Sequence, residues 1–147
     1  MKTKVILKHI GVIAIVLASV IVLGCMESQP KSIIISYSVL KTDVYDREAA
    51  PGKVFLLFGL GIENRGYKSF KVGPEYFNLM ANNVKYDAYS IGLNRLYTGD
   101  VLDGGANVGT IGFEVPSNIR SYEFYYNGDK GYNIEYHQIT WVMDDKK

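Results

Sequence analysis

The sequence predicts an all-β protein, an antiparallel sandwich of seven to nine short strands joined by Greek-key connections. Three observations lead there. Beyond residue 32, apolar and polar residues alternate with a period of two, and helical periodicity is nearly absent. Turn-forming residues recur every 8–12 positions, the punctuation of a sandwich. No long helical stretches follow the strands, which disfavours a parallel sheet covered by helices. Ahead of the strands stands a hydrophobic segment of another kind, a signal helix.

The elements follow in order. Residues 33–40 form a first strand with Ile33, Ile35, Tyr37 and Val39 on one face. Asp43 to Gly52 is a polar loop closed by Pro51-Gly52. In the strand 53–63, Val54, Leu56, Phe58, Leu60 and Ile62 alternate with Phe55, Leu57, Gly59, Gly61 and Glu63. Both of its faces are apolar near the middle, which places it centrally. After the turn Asn64-Arg65-Gly66, Phe70 and Val72 mark a short strand ending at Gly73-Pro74. Tyr76–Met80 and Val84–Tyr86 form a hairpin around Ala81-Asn82-Asn83, because asparagine tolerates the positive φ of tight turns. Residues 87–105 are irregular. Ala106–Val115 is a strand with Ile111, Phe113 and Val115 inward, ended by Pro116. Ser121–Tyr126 and Tyr132–Val142 are expected to pair with each other across Asn127–Gly131. Residues 144–147 form a charged tail.

The first 24 residues differ in kind from the rest. They hold Lys2, Lys4 and Lys8, no carboxylate and no aromatic residue. Ile10 to Leu23 is an apolar run, so a basic region precedes a hydrophobic one, as in a secretory signal peptide. As a helix this run rises ~21 Å, short of a hydrocarbon core of ~30 Å. Val22-Leu23-Gly24-Cys25 then resembles the lipobox of prokaryotic lipoproteins. That resemblance implies cleavage after Gly24 and lipidation of Cys25, the only cysteine in the chain. The exported domain then keeps no thiol and folds without disulfides. Residues 25–32 become a lipidated tether spanning at most ~25 Å from Met26 to Ser32, which holds the domain 33–143 beside its membrane. Two chains on one anchor hold firmly where one holds marginally.

A chain of 147 residues has room for one domain. Two domains, or separate cofactor and substrate lobes, are excluded. After residue 24, 13 Lys and Arg face 15 Asp and Glu, a balance that disfavours a nucleic-acid binder. All 19 aromatic residues lie in that part, too many for a disordered chain.

Several stretches together resemble a known family. These are Val54–Asn64 with its Glu-Asn ending, Tyr76-Phe77-Asn78-Leu79 followed by Lys85-Tyr86, Gly104-Gly105 before Val108–Pro116, and Tyr122-Glu123-Phe124. In this order they are similar to the secreted bacterial and archaeal lipoprotein domains of unknown function with a telokin-like, immunoglobulin-related sandwich. The resemblance covers Val54 to Tyr126 and departs from the pattern at Asp103, where a proline is usual. It implies an immunoglobulin-like fold, no catalytic residues and no cofactor.

Recognisable chemistry is sparse. Gly59-Leu60-Gly61 starts a dinucleotide fingerprint, but Asn64 occupies the third glycine position and no helix follows. Gly61 to Gly66 has phosphate-loop spacing, yet Tyr67 stands where lysine is required. These glycines instead mark a strand twist or the close approach of another backbone. His137 is the only histidine after the signal segment, so a zinc site lacks ligands, and no Gly-x-Ser-x-Gly elbow accompanies it. Asp43, Asp46 and Glu48 share a loop without calcium-loop spacing, and Asp100 and Asp103 form a second such pair. No metal site is expected.

Tyrosine is the unusual feature. Tyr122, Tyr125, Tyr126, Tyr132 and Tyr136 crowd the last third and, at matching parity on adjacent strands, would pave an interaction patch for a protein or glycan. The alternative sends half of them to the core. The function expected is a non-enzymatic contact or accessory module, lipid-anchored on the extracytoplasmic face of the cell membrane. The alternatives are a small-ligand carrier and a hydrolase built on His137.

Overall fold

In a computed structural model of the chain, residues 28–90 and 92–139 are described. The signal segment, Gly24, Cys25, the tether as far as residue 27 and the tail all lie outside the described residues, as does the predicted strand beyond Ile139. The chain divides between Pro30 and Lys31, and the second unit is the subject below. Among the described residues no helix is long and apolar enough to cross a membrane.

The unit is all-β and built from three sheets. Its strands are β1 (Ser32–Thr42), β2 (Lys53–Arg65), β3 (Ser69–Val72), β4 (Phe77–Ala81), β5 (Val84–Asp87), β6 (Tyr89–Ser90), β7 (Gly99–Leu102), β8 (Ala106–Pro116), β9 (Glu123–Tyr126) and β10 (Ile134–Gln138). The largest sheet has the order β10-β1-β2-β8-β6, a second pairs β3 with β7, and the third runs β5-β4-β9. As its two-sided apolar pattern predicts, β2 is central, flanked antiparallel by β1 and β8.

Strand alternation sorts the side chains of the large sheet. Ile33 and Ile35 of β1, Leu56, Phe58, Leu60 and Ile62 of β2, and Ile111, Phe113 and Val115 of β8 are buried on one face. They share a single core with Phe70 and Val72 of β3, Phe77 and Leu79 of β4 and Val101 of β7. Fully burying a side chain of this size contributes roughly 1.5–3 kcal/mol, so this interface between layers holds the fold. Rings fill its centre. Phe58 stacks on Phe124 at 4.5 Å and meets Phe113 edge-on at 5.4 Å, and Phe77 lies 5.4 Å from Phe124.

The opposite face of β2 is covered at one end only. Phe55 and Leu57 are buried beneath Ala49 and Tyr89. The Arg47 guanidinium lies 4.9 Å above the Phe55 ring and donates to Glu114 Oε2 at 3.0 Å. The Ala50 N–H donates to Glu114 Oε1 at 2.7 Å, so the polar loop is pinned to β8.

Three expectations are corrected. The described residues hold ten strands rather than seven to nine, because the stretch 87–105, read as irregular, contributes β6 and β7. The segments either side of Asn127–Gly131 do not pair with each other: β9 joins β4, and β10 joins β1 in another sheet. The Tyr126 N–H, which a hairpin would direct across the ladder, donates to the Tyr136 hydroxyl at 2.9 Å. Nor is the large sheet wholly antiparallel, because β10 runs parallel to β1 in the register Ile33–Ile134 to Tyr37–Gln138.

Candidate functional site

Beyond Leu57 the outer face of the large sheet loses its bulk. The register aligns Ser36 with Gly61 and Gly61 with Val108, and one step on it aligns Ser38 with Gly59 and Gly59 with Thr110. Across three strands the floor therefore consists of hydroxyls, glycines and one valine. A groove of about 650 Å³ lies over it.

The groove has raised sides. On one side the segment 94–96 runs along β8, with the Thr110 N–H donating to the Asn94 carbonyl at 2.6 Å and the Leu96 N–H donating to the Thr110 carbonyl at 3.0 Å. This close approach requires Gly109, because a Cβ there would run into the Leu96 backbone. Leu96 turns into the core, which leaves Leu93, Asn94, Arg95 and Tyr97 facing the groove. On the other side stands Ile139, whose N–H donates to the Tyr37 carbonyl at 2.7 Å.

The rim is exposed to an unusual degree for apolar residues: Leu93 is 98% exposed, Val108 76%, Tyr97 63% and Ile139 47%. Arg95 lies 5.5 Å from the centre of the Tyr97 ring and, among the described residues, is the only charged one lining the groove. The hydroxyls of Ser36, Ser38 and Thr110 and the side-chain amide of Asn94 supply the groove's uncharged polar lining.

The five tyrosines do not share one surface. The Tyr126 ring packs on Phe70 at 4.6 Å and its hydroxyl donates to the Lys71 carbonyl at 3.0 Å. Burial pushes the Tyr126 phenol well above its ordinary pKa. Tyr132 meets Phe70 and Tyr67, each at 5.0 Å, and donates to the Ser69 carbonyl. Tyr122 and Tyr136 meet the ring cluster edge-on at Phe58 and Phe124 respectively. Burial raises the pKa of both phenols. Tyr125 is half-buried beside Asn78 on β4. A second pocket, of about 470 Å³, is lined by Tyr125, Tyr126, Tyr132 and the loop between them.

His137 stands on the outer face of β10 with its side chain about half exposed, its Nε2 3.7 Å from Glu135 Oε2. The parallel register sets it beside Ser36, a residue that sequence reading passed over. No hydrogen bond joins the two among the described residues. Asp43, Asp46 and Glu48 point to solvent. Asp103 Oδ1 accepts from the Gly66 N–H at 2.7 Å, while Asp100 is exposed on β7. Among the described residues no three His, Cys, Asp or Glu side chains converge on a metal position.

With the geometry in place, comparison with known proteins adds a lineage. Residues 29–138 match the family described as a domain of unknown function (DUF4352). The chain belongs to that family. The DUF4352 match extends past both limits of the stretch that carries the sequence resemblance, and it includes β1 and β10. Among solved structures the DUF4352 domain is similar to a protein of Bacillus subtilis subsp. subtilis str. 168 described as a "putative lipoprotein (ycdA)". The TM-score is 0.53 and the identity 18%, over 73% of this chain and 35% of that one. The DUF4352 chain thus spans about a third of the ycdA chain, and the likeness is one of fold. No curated protein matches the sequence.

Proposed function

We propose that the protein is a lipid-anchored, extracytoplasmic contact module: an immunoglobulin-like sandwich, tethered through Cys25, that binds a partner at the cell envelope without transforming it. The observation that carries the reading is the bare outer face of the large sheet, where Ser36, Ser38, Gly59, Gly61 and Thr110 leave an open groove rimmed by exposed Leu93, Tyr97 and Val108. The lipobox-like run ending at Cys25 supports the anchor, and the description of ycdA as a lipoprotein agrees with it. A carrier reading would place ligand between the layers or under residues 87–105; between the layers the space holds the rings of Phe58, Phe77, Phe113 and Phe124.

The test has two parts. Mass spectrometry of the native N-terminus is expected to find a lipid-modified Cys25, and the variant Cys25→Ser is expected to leave the membrane fraction. Capture of envelope components by the detergent-solubilised protein is expected to fall when the groove is filled by Gly61→Val. Retention of Met1 with an unmodified thiol overturns the anchor, and undiminished binding by Gly61→Val overturns the contact surface.

One arrangement favours a second reading, hydrolysis. Ser36, His137 and Glu135 lie side by side on the outer face. Both members of the His137–Glu135 pair are about half exposed, and Ser36 is not hydrogen-bonded to His137, unlike an activated nucleophile. Covalent labelling of Ser36 by a fluorophosphonate, abolished by His137→Ala, would establish this reading and displace the first.

A further inference from the structure

We infer that the outer-face groove binds an acidic polysaccharide, a chain of sugar rings bearing carboxylates. This rests on the contact-module reading and names the chemistry of its partner.

The floor comes first. Glycine inside a strand weakens it relative to alanine and commonly marks a place where something approaches the sheet closely. At Gly61 the fold does not demand glycine: its φ is not positive, and a Cβ there would meet nothing within 4 Å. At Gly59 a Cβ would meet only the Ser38 hydroxyl, at 3.1 Å. The open space above Gly61 is therefore available to a flat ligand resting on the sheet.

The lining then selects the ligand. Backbone N–H and C=O groups of β2 are engaged on both sides by β1 and β8, so an extended peptide finds no strand to pair with on this floor. An acyl chain would bury the hydroxyls of Ser36, Ser38 and Thr110 and the Asn94 amide without partners, leaving each desolvated polar group uncompensated. A small metabolite is held by enclosure of most of its surface, and this groove is open along its length. A sugar ring suits it: its C–H face lies against the exposed Tyr97 ring, and its hydroxyls meet Ser36, Ser38, Thr110 and Asn94.

Charge sets the last requirement. Among the described residues Arg95 is the one ion in the lining and no carboxylate accompanies it there. Glu63, further along the outer face of β2, is paired with Arg65 at 2.7 Å. Stacked beside Tyr97, the Arg95 fork is placed to take a carboxylate with two hydrogen bonds.

The test is affinity electrophoresis of the full-length, detergent-solubilised protein through gels holding polygalacturonate or, as a neutral control, dextran. Retardation by polygalacturonate alone is expected. Arg95→Gln and Tyr97→Ala, both at exposed positions, should each weaken it at least tenfold. Gly61→Val should abolish it while the thermal midpoint stays within about two degrees. Equal retardation by dextran, undiminished retardation of Gly61→Val or Arg95→Gln, or binding to phosphatidylcholine vesicles through the groove would each overturn the assignment. If polygalacturonate is not bound but Gly61→Val still captures less from the envelope, the acidic-glycan claim falls and the contact surface stands. If neither differs, both fall.

Discussion

The side-chain amide of Asn64 donates to the main-chain carbonyl of Val101 at 2.8 Å, joining the end of β2 to β7 across 37 residues of sequence. The same amide donates to the Tyr67 carbonyl at 2.8 Å, and Asn64 Oδ1 accepts from the Tyr67 N–H at 3.1 Å. Its backbone accepts from the Gly104 N–H and donates to the Gly105 carbonyl. One buried asparagine thus holds the turn into β3, β7 and the turn into β8. Asn64→Ala strands two carbonyls and one N–H, so a loss of about 3 kcal/mol in denaturant-derived stability is expected.

Tyr125 and Tyr126 are neighbours with opposite duties. Tyr126→Ser removes a ring packed on Phe70 and Phe77 and should cost about 3 kcal/mol. Tyr126→Phe, which loses only the bond to the Lys71 carbonyl, should cost about 1 kcal/mol. Tyr125→Ser should cost less than about 1 kcal/mol. Urea unfolding of the three variants checks the order.

The β4–β5 hairpin turns through Asn82 and Asn83, at φ 50° and 61°. Both values lie in the left-handed region that side chains other than asparagine and aspartate resist. Replacing both residues by alanine should cost about 2 kcal/mol, whereas Asn83→Gly should match or slightly exceed the parent in thermal midpoint.

Glu114 predicts an acid-sensitive contact. The Ala50 N–H and the Arg47 guanidinium both favour its ionised form and hold its carboxyl below the usual glutamate value. A carboxyl depressed in the folded state adds stability above its unfolded pKa of about 4.3, and that contribution is lost as pH falls through the lower folded value. Glu114→Gln should therefore destabilise most near neutrality and converge on the parent in strong acid. Thermal midpoints measured from pH 7 to 2 check the convergence.

Much of this architecture is legible in the residues. The alternation from Val54 to Ile62 marks β2 as central because one face needs a second layer while Phe55 and Leu57 need cover on the other, and Asn82-Asn83 locates a hairpin because few residues accept its φ values. Local pattern fails where partners are remote. The segments around Asn127–Gly131 read as a hairpin because both alternate and a turn lies between them. What separates them is the place left beside β1 for β10 and beside β4 for β9, and no short window encodes that. The groove is hidden for the same reason. Gly59 and Gly61 signal a close approach, but Leu93, Arg95 and Tyr97 come beside them only through the ladder of segment 94–96 against β8.

The parallel pairing of β1 with β10 has a mechanical meaning. Because the two neighbouring strands point the same way, tension applied between Ser32 and Gln138 pulls them past one another along their length. Every rung of that ladder is then strained at once and must yield together, whereas antiparallel neighbours would peel apart rung by rung from one end. A domain fastened at its first strand and tugged through its last is built to resist being drawn out.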